Sequence, residues 1–128
     1  MSKPVPLGAR GEAEERVTFD QTLTKHHAQL PPVLSTPEMI RIMEIACFHA
    51  LLPYHDTGEI NVGTAIHVEH RASCGIGAQV KATAELESVD GRFYIMRVEA
   101  WADGRLIGAG TVHRAFINLA RVMTKLNH

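Results

Sequence analysis

This chain has almost no excess of either charge, few cysteines and no extended apolar stretch, and each shortage removes a class of function. Lys plus Arg total 13 against 14 for Asp plus Glu, a formal net charge of -1. No bulk field therefore draws the protein onto nucleic acid or an anionic membrane, although a few local bases can still hold a small anion. The two cysteines, Cys47 in an apolar run and Cys74 beside Gly75, have neither metal-ligand spacing nor the density of a disulfide-stapled domain. They read as reduced thiols, which sets the expectation of a cytoplasmic protein. No stretch approaches the roughly 18 continuous apolar residues of a membrane-spanning helix. The segment Met1 to Arg16 holds Pro4, Pro6, Gly8, Gly11 and several glutamates but no apolar centre. It does not read as a signal peptide, and residues 1–15 are expected to be flexible. A chain of 128 residues suits one domain and is too short for two ordinary ones, so 1–128 is taken as a single unit.

What is present has a clear order. A short strand is expected over Arg16 to Asp20, followed by a loop or lid from Gln21 to Ser35, where Pro31 and Pro32 resist regular structure. Thr36-Pro37 is a helix-start signature, because a proline at the first helical position lacks an N–H that would be unpaired anyway. The helix should run to about Leu52, ahead of Pro53. Met39, Ile40, Ile42, Met43, Ala46, Cys47, Ala50 and Leu51 cover more than half its circumference, so something must wrap it. From Asn61 the period becomes two. Val62, Thr64, Ile66, Val68, His70 and Ala72 form one face, and Asn61, Gly63, Ala65, His67, Glu69 and Arg71 a more polar one. Further alternating runs are separated by Asp90-Gly91 and Asp103-Gly104, strong hairpin signals, and a short closing helix is expected over Leu119 to Leu126. The order predicts an α+β fold in which an antiparallel sheet wraps a central helix. An open sheet edge, with Ile45 and Leu52 among the helix's wetter residues, suggests that a second copy completes it.

Two polar residues interrupt the expected interior. Glu44 enters the apolar arc of the helix between Leu51 and Phe48, a setting suited to proton transfer or nucleophilic attack. The plainer alternative is an ion pair with Arg41 or His70. His70 shares a strand face with Ile66 and Val68, so it is expected to meet Glu44 inside; a satisfied core histidine is the alternative. The Thr36 hydroxyl either caps the helix or joins its free N–H groups in holding an oxyanion. About 12 Å of helical rise separates Thr36 from Glu44, so their contact would need the preceding loop to fold back. The eight histidines include no metal-binding spacing, Gly75-Ile76-Gly77 and Gly108-Ala109-Gly110 do not form a phosphate loop, and no Gly-x-Ser-x-Gly elbow occurs. Gly108 and Gly110 read as close-approach or bending positions in a curved strand.

The runs Ser35 to Glu44, Gly63 to His70, Ala84-Glu85-Leu86 and Ile107 to Thr111, in that order, closely resemble the fluoroacetyl-CoA thioesterase-like branch of the hotdog superfamily. The likeness spans about Val33 to Leu119. It implies a hotdog fold and hydrolysis of a small acyl-CoA thioester, with Thr36, Glu44 and His70 as catalytic residues. It further implies Gly63 at the substrate carbonyl, Arg114 near the coenzyme A end, a homodimer with substrate threaded at the subunit interface, and no metal. No separate cofactor is implied, since coenzyme A is part of the substrate. The lid departs from the fluoroacetyl-specific member, whose gating phenylalanines would fall near His27 and Leu30, so fluoroacetyl specificity does not carry over. Two other readings stay open at this point: a non-catalytic acyl-CoA or small-ligand domain, and a hotdog enoyl-CoA hydratase or dehydratase.

Overall fold

Ser35, not Thr36, starts the central helix. The computed structural model describes residues 3–127, and in it the Ser35 hydroxyl accepts the N–H of Glu38 at 3.3 Å while Pro37 occupies the first turn. The Thr36 hydroxyl is thereby left for other work. Helix α1 spans Thr36–Leu51, and one further turn of tighter helix, Leu52–Tyr54, carries the chain past Pro53. Met39, Ile42, Met43, Ala46, Cys47, Ala50 and Leu51 are all buried on it. Burial of a Leu, Ile or Met side chain stabilises the fold by about 1.5–3 kcal/mol each, so this face accounts for much of the core.

The wrapper is a five-stranded antiparallel sheet. Its strands are β1 (Arg10–Arg16), β2 (Glu59–His70), β3 (Gln79–Asp90), β4 (Phe93–Ala102) and β5 (Arg105–Asn118), in the spatial order β1-β3-β4-β5-β2. Val80, Ala82, Ala84 and Leu86 of β3, with Met96, Val98 and Ala100 of β4, point at α1 and are buried. At the β4–β5 turn Asp103 and Gly104 both take positive φ, 49° and 83°, as the Asp-Gly signal requires; at the β3–β4 turn Gly91 does so, at 61°. Helix α2 (Leu119–Leu126) follows β5, capped by the Asn118 side chain, which accepts the N–H of Arg121. No helix of the described residues is long and apolar enough to cross a membrane.

Two expectations need correction. The first strand lies at Arg10–Arg16 rather than over Arg16 to Asp20, so that all of it but Arg16 falls in the segment expected to be flexible, and it pairs with β3 from Arg10↔Glu85 to Arg16↔Gln79. Glu12 and Glu14 face outward, whereas Glu15 shares the inner face and pairs with Arg41 of α1; on that face Gly11 sits against α1 so closely that a Cβ there would overlap the backbone of Ala46 and Ala50. Residues 1 and 2, also in that segment, lie outside the described residues. The second correction concerns β2. A bulge between Gly63 and Ala65 adds one residue against β5, so the alternation changes phase. Asn61 and Gly63, expected on the polar outer face, share the helix-facing side with Ile66, Val68 and His70. Asn61 is 2% exposed.

Strands β1 and β2 are the edges of the sheet. The reading of Gly108 and Gly110 as close-approach positions holds: a Cβ on Gly108 would lie 2.5 Å from the Met39 sulfur, and one on Gly110 would overlap the backbone of His67.

Candidate active site

The chemistry-bearing side chains gather in two groups, one at each end of β2. At the far end of the strand His70 meets the start of α1, and its Nδ1 is hydrogen-bonded to the Thr36 hydroxyl at 2.8 Å. The other ring nitrogen, Nε2, is buried and has no partner among the described residues. An orphaned buried imidazole nitrogen costs free energy unless something unseen in one chain completes it. A cavity of about 300 Å³ opens beside this pair, lined by Thr36, His70 and Ala72 together with Leu23 and Val33 from the lid segment. That segment is irregular as expected, built from two short turns, Phe19–Gln21 and Leu23–Lys25, and tied down by bridges Thr22↔Leu34 and Val33↔Gly75. His27 and Leu30 are exposed on it.

The second group lies two turns along α1. Half-buried Glu44 faces the backbone of Gly63: a Cβ on that glycine would stand 2.6 Å from the carboxylate Oε1 and 3.3 Å from Nη1 of Arg114. The two charged groups are thus within about 6 Å of one another, close enough for strong mutual influence. Arg114 is 4% exposed. Its Nε and Nη2 donate to the Asn61 side-chain oxygen at 2.9 and 2.7 Å, and Nη2 also donates to the Asn61 backbone oxygen at 3.0 Å. Nη1 makes no hydrogen bond among the described residues and is the free end towards Glu44. Burial pushes the Arg114 pKa down from its ordinary value, an effect that Cys47 and Glu44 oppose. The neighbouring thiol of Cys47 is no rival nucleophile, because burial pushes its pKa up to about 12.

Within one chain, then, Thr36 joins His70, and Glu44 joins Gly63 and Arg114, but the expected contact between Glu44 and His70 is not made. Gly63 and His70 pair with Arg114 and Gly108, six residues apart on β5, a span of roughly 20 Å at 3.3 Å per residue. The plain ion-pair reading of Glu44 also fails at Arg41, which is engaged by Glu15 and Glu38. Arg114, expected near the coenzyme A end, is buried within the single chain and beside Glu44. Asn61 was missed in the sequence because the bulge that turns it inward is a mismatch with β5, invisible in β2 alone.

A family model described as fluoroacetyl-CoA-specific thioesterase matches residues 17–120. The chain belongs to this family. It has the hotdog fold, and its activity class is thioester hydrolysis. A fluoroacetyl-CoA thioesterase from Streptantibioticus cattleyicolor is 43% identical over 99 residues, 77% of this chain and 71% of that protein. The solved structure of the fluoroacetyl-CoA thioesterase FlK superposes with a TM-score of 0.89 at 36% identity, covering 98% of this chain and 97% of the other. A Thermus thermophilus hypothetical protein, described as a thioesterase superfamily member, gives a TM-score of 0.89 at 30% identity over 97% of this chain and 92% of its own.

Proposed function

We propose that the chain hydrolyses a small acyl-CoA thioester at a site shared by two copies, with Glu44, Gly63 and Arg114 from one and Thr36 and His70 from the other. The observation that carries this reading is the buried, unpartnered Nε2 of His70, some 20 Å along the strand from the carboxylate it would serve. Strand β2 is an open edge twelve residues long, and such edges seek a partner. If two β2 edges pair antiparallel about a twofold axis at His67, Gly63 of one strand falls opposite His70 of the other, because the extra residue of the bulge between Gly63 and Ala65 takes up one of the four steps from His67 to Gly63. That arrangement supplies Nε2 with a carboxylate and completes the site twice per dimer.

In the proposed reaction Glu44 either attacks the thioester carbonyl or takes a proton from a water that does so. The carbonyl oxygen's developing charge is held by backbone N–H groups near Gly63 and by the Thr36 hydroxyl, whose hydrogen is free for this when the His70 ring donates to it from Nδ1–H as well as to Glu44 from Nε2–H. The tetrahedral species then collapses, the C–S bond breaks, and the coenzyme A thiolate leaves and is protonated. Where Glu44 has attacked, water cleaves the resulting anhydride to free acid. Water and these side chains suffice, and coenzyme A enters as part of the substrate.

A small acyl group is favoured because variants of the FlK thioesterase have been solved with acetyl-CoA and with fluoroacetate. Fluoroacetyl selectivity is not part of the proposal: the residues lining the Thr36–His70 cavity are aliphatic or polar, with no aromatic gate among them.

The test mixes two inactive proteins. Glu44→Gln and His70→Ala should each lower kcat on short acyl-CoA substrates by a factor of roughly 10²–10⁴. Co-refolded in equal amounts, they should recover roughly a quarter of wild-type activity, because half the dimers are mixed and one of their two sites is intact. An active wild type with no recovery in the mixture would place the site within one chain. A wild type inactive across the panel would favour the non-catalytic ligand domain.

A further inference from the structure

Every polar atom of the buried Asn61 side chain is engaged, and the pattern admits only one orientation. Its oxygen accepts from Nε and Nη2 of Arg114 at 2.9 and 2.7 Å, and its NH₂ group lies 2.7 Å from Nε2 of His55 and 3.5 Å from the carbonyl oxygen of Phe48. A guanidinium only donates, so the amide oxygen must face Arg114 and the NH₂ must face His55. The His55 Nε2 is therefore an acceptor. The ring is neutral with its proton on Nδ1, and the structure makes that tautomer a condition of the Arg114 contact.

We propose that Asn61 and His55 are positioning residues for the Glu44 site: together they hold the Arg114 guanidinium so that its free Nη1 faces the carboxylate, and protonation of His55 releases that hold. The inference rests on the reading of Glu44 as the reacting carboxylate.

A proton on Nε2 would set two donors against each other. Asn61 cannot answer by turning over, because its NH₂ would then face the guanidinium. Either the imidazole leaves or Asn61 shifts, and Arg114 loses side-chain bonds that fix its plane. The ring has little room to adjust, since it stands edge-on to Phe48 of α1 at 5.7 Å and to Phe116 of β5 at 5.5 Å between centroids. The charged groups acting on it are Glu59 of β2 and Arg114 of β5. The Glu59 carboxylate is already occupied by the N–H of Asp56, and the Asp56 carboxylate by the N–H of Thr57. Burial lowers the His55 pKa from its ordinary 6.5, against a smaller opposing effect from Glu59. His55 is thus neutral near pH 7, and the hold is lost as pH falls through a value below 6.5.

The experiment follows the His55 ring and the Arg114 Nε–H by NMR from pH 7.5 to 4.5, and kcat over the same range, in wild type, His55→Gln and Asn61→Asp. Glutamine can still accept from Asn61 but does not titrate. An aspartate at 61 accepts on both sides and favours the protonated ring. The expected results are an Nδ1–H tautomer in wild type, an Arg114 signal that moves with the His55 titration, and an acid limb of kcat displaced to lower pH in His55→Gln and to higher pH in Asn61→Asp. An Arg114 signal indifferent to His55 titration, or an acid limb unchanged in both variants, would overturn the proposal. Coupled titration in a protein with no thioester turnover would support the relay and overturn only the hydrolase reading.

Discussion

At Gly63 the useful feature is an absent side chain. The Glu44 carboxylate and the free end of Arg114 both lean towards the space a Cβ would take, and in the proposed reaction the carbonyl approaches them there. Gly63→Ala should leave the protein folded, because the atom it meets first is the far end of a flexible side chain. It should also displace the carboxylate by an ångström or so, a misplacement that costs roughly 10²-fold in kcat. Unchanged kcat in a folded Gly63→Ala protein would remove this space from the reaction. The residues of the proposed site were legible as candidates: Glu44 and His70 stood out as polar interruptions of apolar faces, and Thr36 as a hydroxyl at a helix start. Their partners were not. That Ser35 takes the capping role and leaves Thr36 to His70 depends on which hydroxyl the folded loop points at the Glu38 N–H.

Among the elements, α1 and the three consecutive strands β3, β4 and β5 were readable because their signals are local. A proline in the first turn, an apolar helical face and Asp-Gly turns need no knowledge of the rest of the chain. Strand β1 was not, since its glutamate-rich composition resembles that of a solvated tail. What orders it is the backbone pairing with β3 and the close seat of Gly11 on α1. Gly11→Ala should therefore be severe for so small a change. Its Cβ meets helix backbone rather than a movable side-chain tip, and overpacking of this kind costs about 1–3 kcal/mol or more. The expected fall in melting temperature is roughly 5–10 °C, measured by calorimetry. A shift under 2 °C would show that β1 can slide off the helix without penalty.

For the whole molecule, the proposed site requires a dimer of a particular register. Light scattering at micromolar concentration should report twice the 14.1 kDa chain. With the twofold axis at His67, two residues at that position face each other across the junction, at a Cβ separation of about 4.5–5.5 Å. His67→Cys should accordingly give a covalent dimer on mild oxidation, whereas the buried native thiols Cys47 and Cys74 should not compete. A dimer that fails to cross-link would move the axis and separate Glu44 from the second copy's His70; a monomer would remove the shared site altogether.

Local signals along the chain were enough for the architecture and for naming the candidate residues. Apolar periodicity, proline and turn chemistry act over a few neighbours, and they suffice to place a wrapped helix, the hairpins and three polar residues along interior-facing elements. The tertiary structure alone decided who meets whom. The bulge between Gly63 and Ala65 exists only as a mismatch against β5, yet it turns Asn61 and Gly63 inward and so creates the chain from His55 through Asn61 to Arg114. The same strand is too long for Glu44 and His70 to share one end of it. Side-chain pairing across strands and between helix and sheet is fixed by register, and register is a property of two segments at once, which no local reading of either one contains.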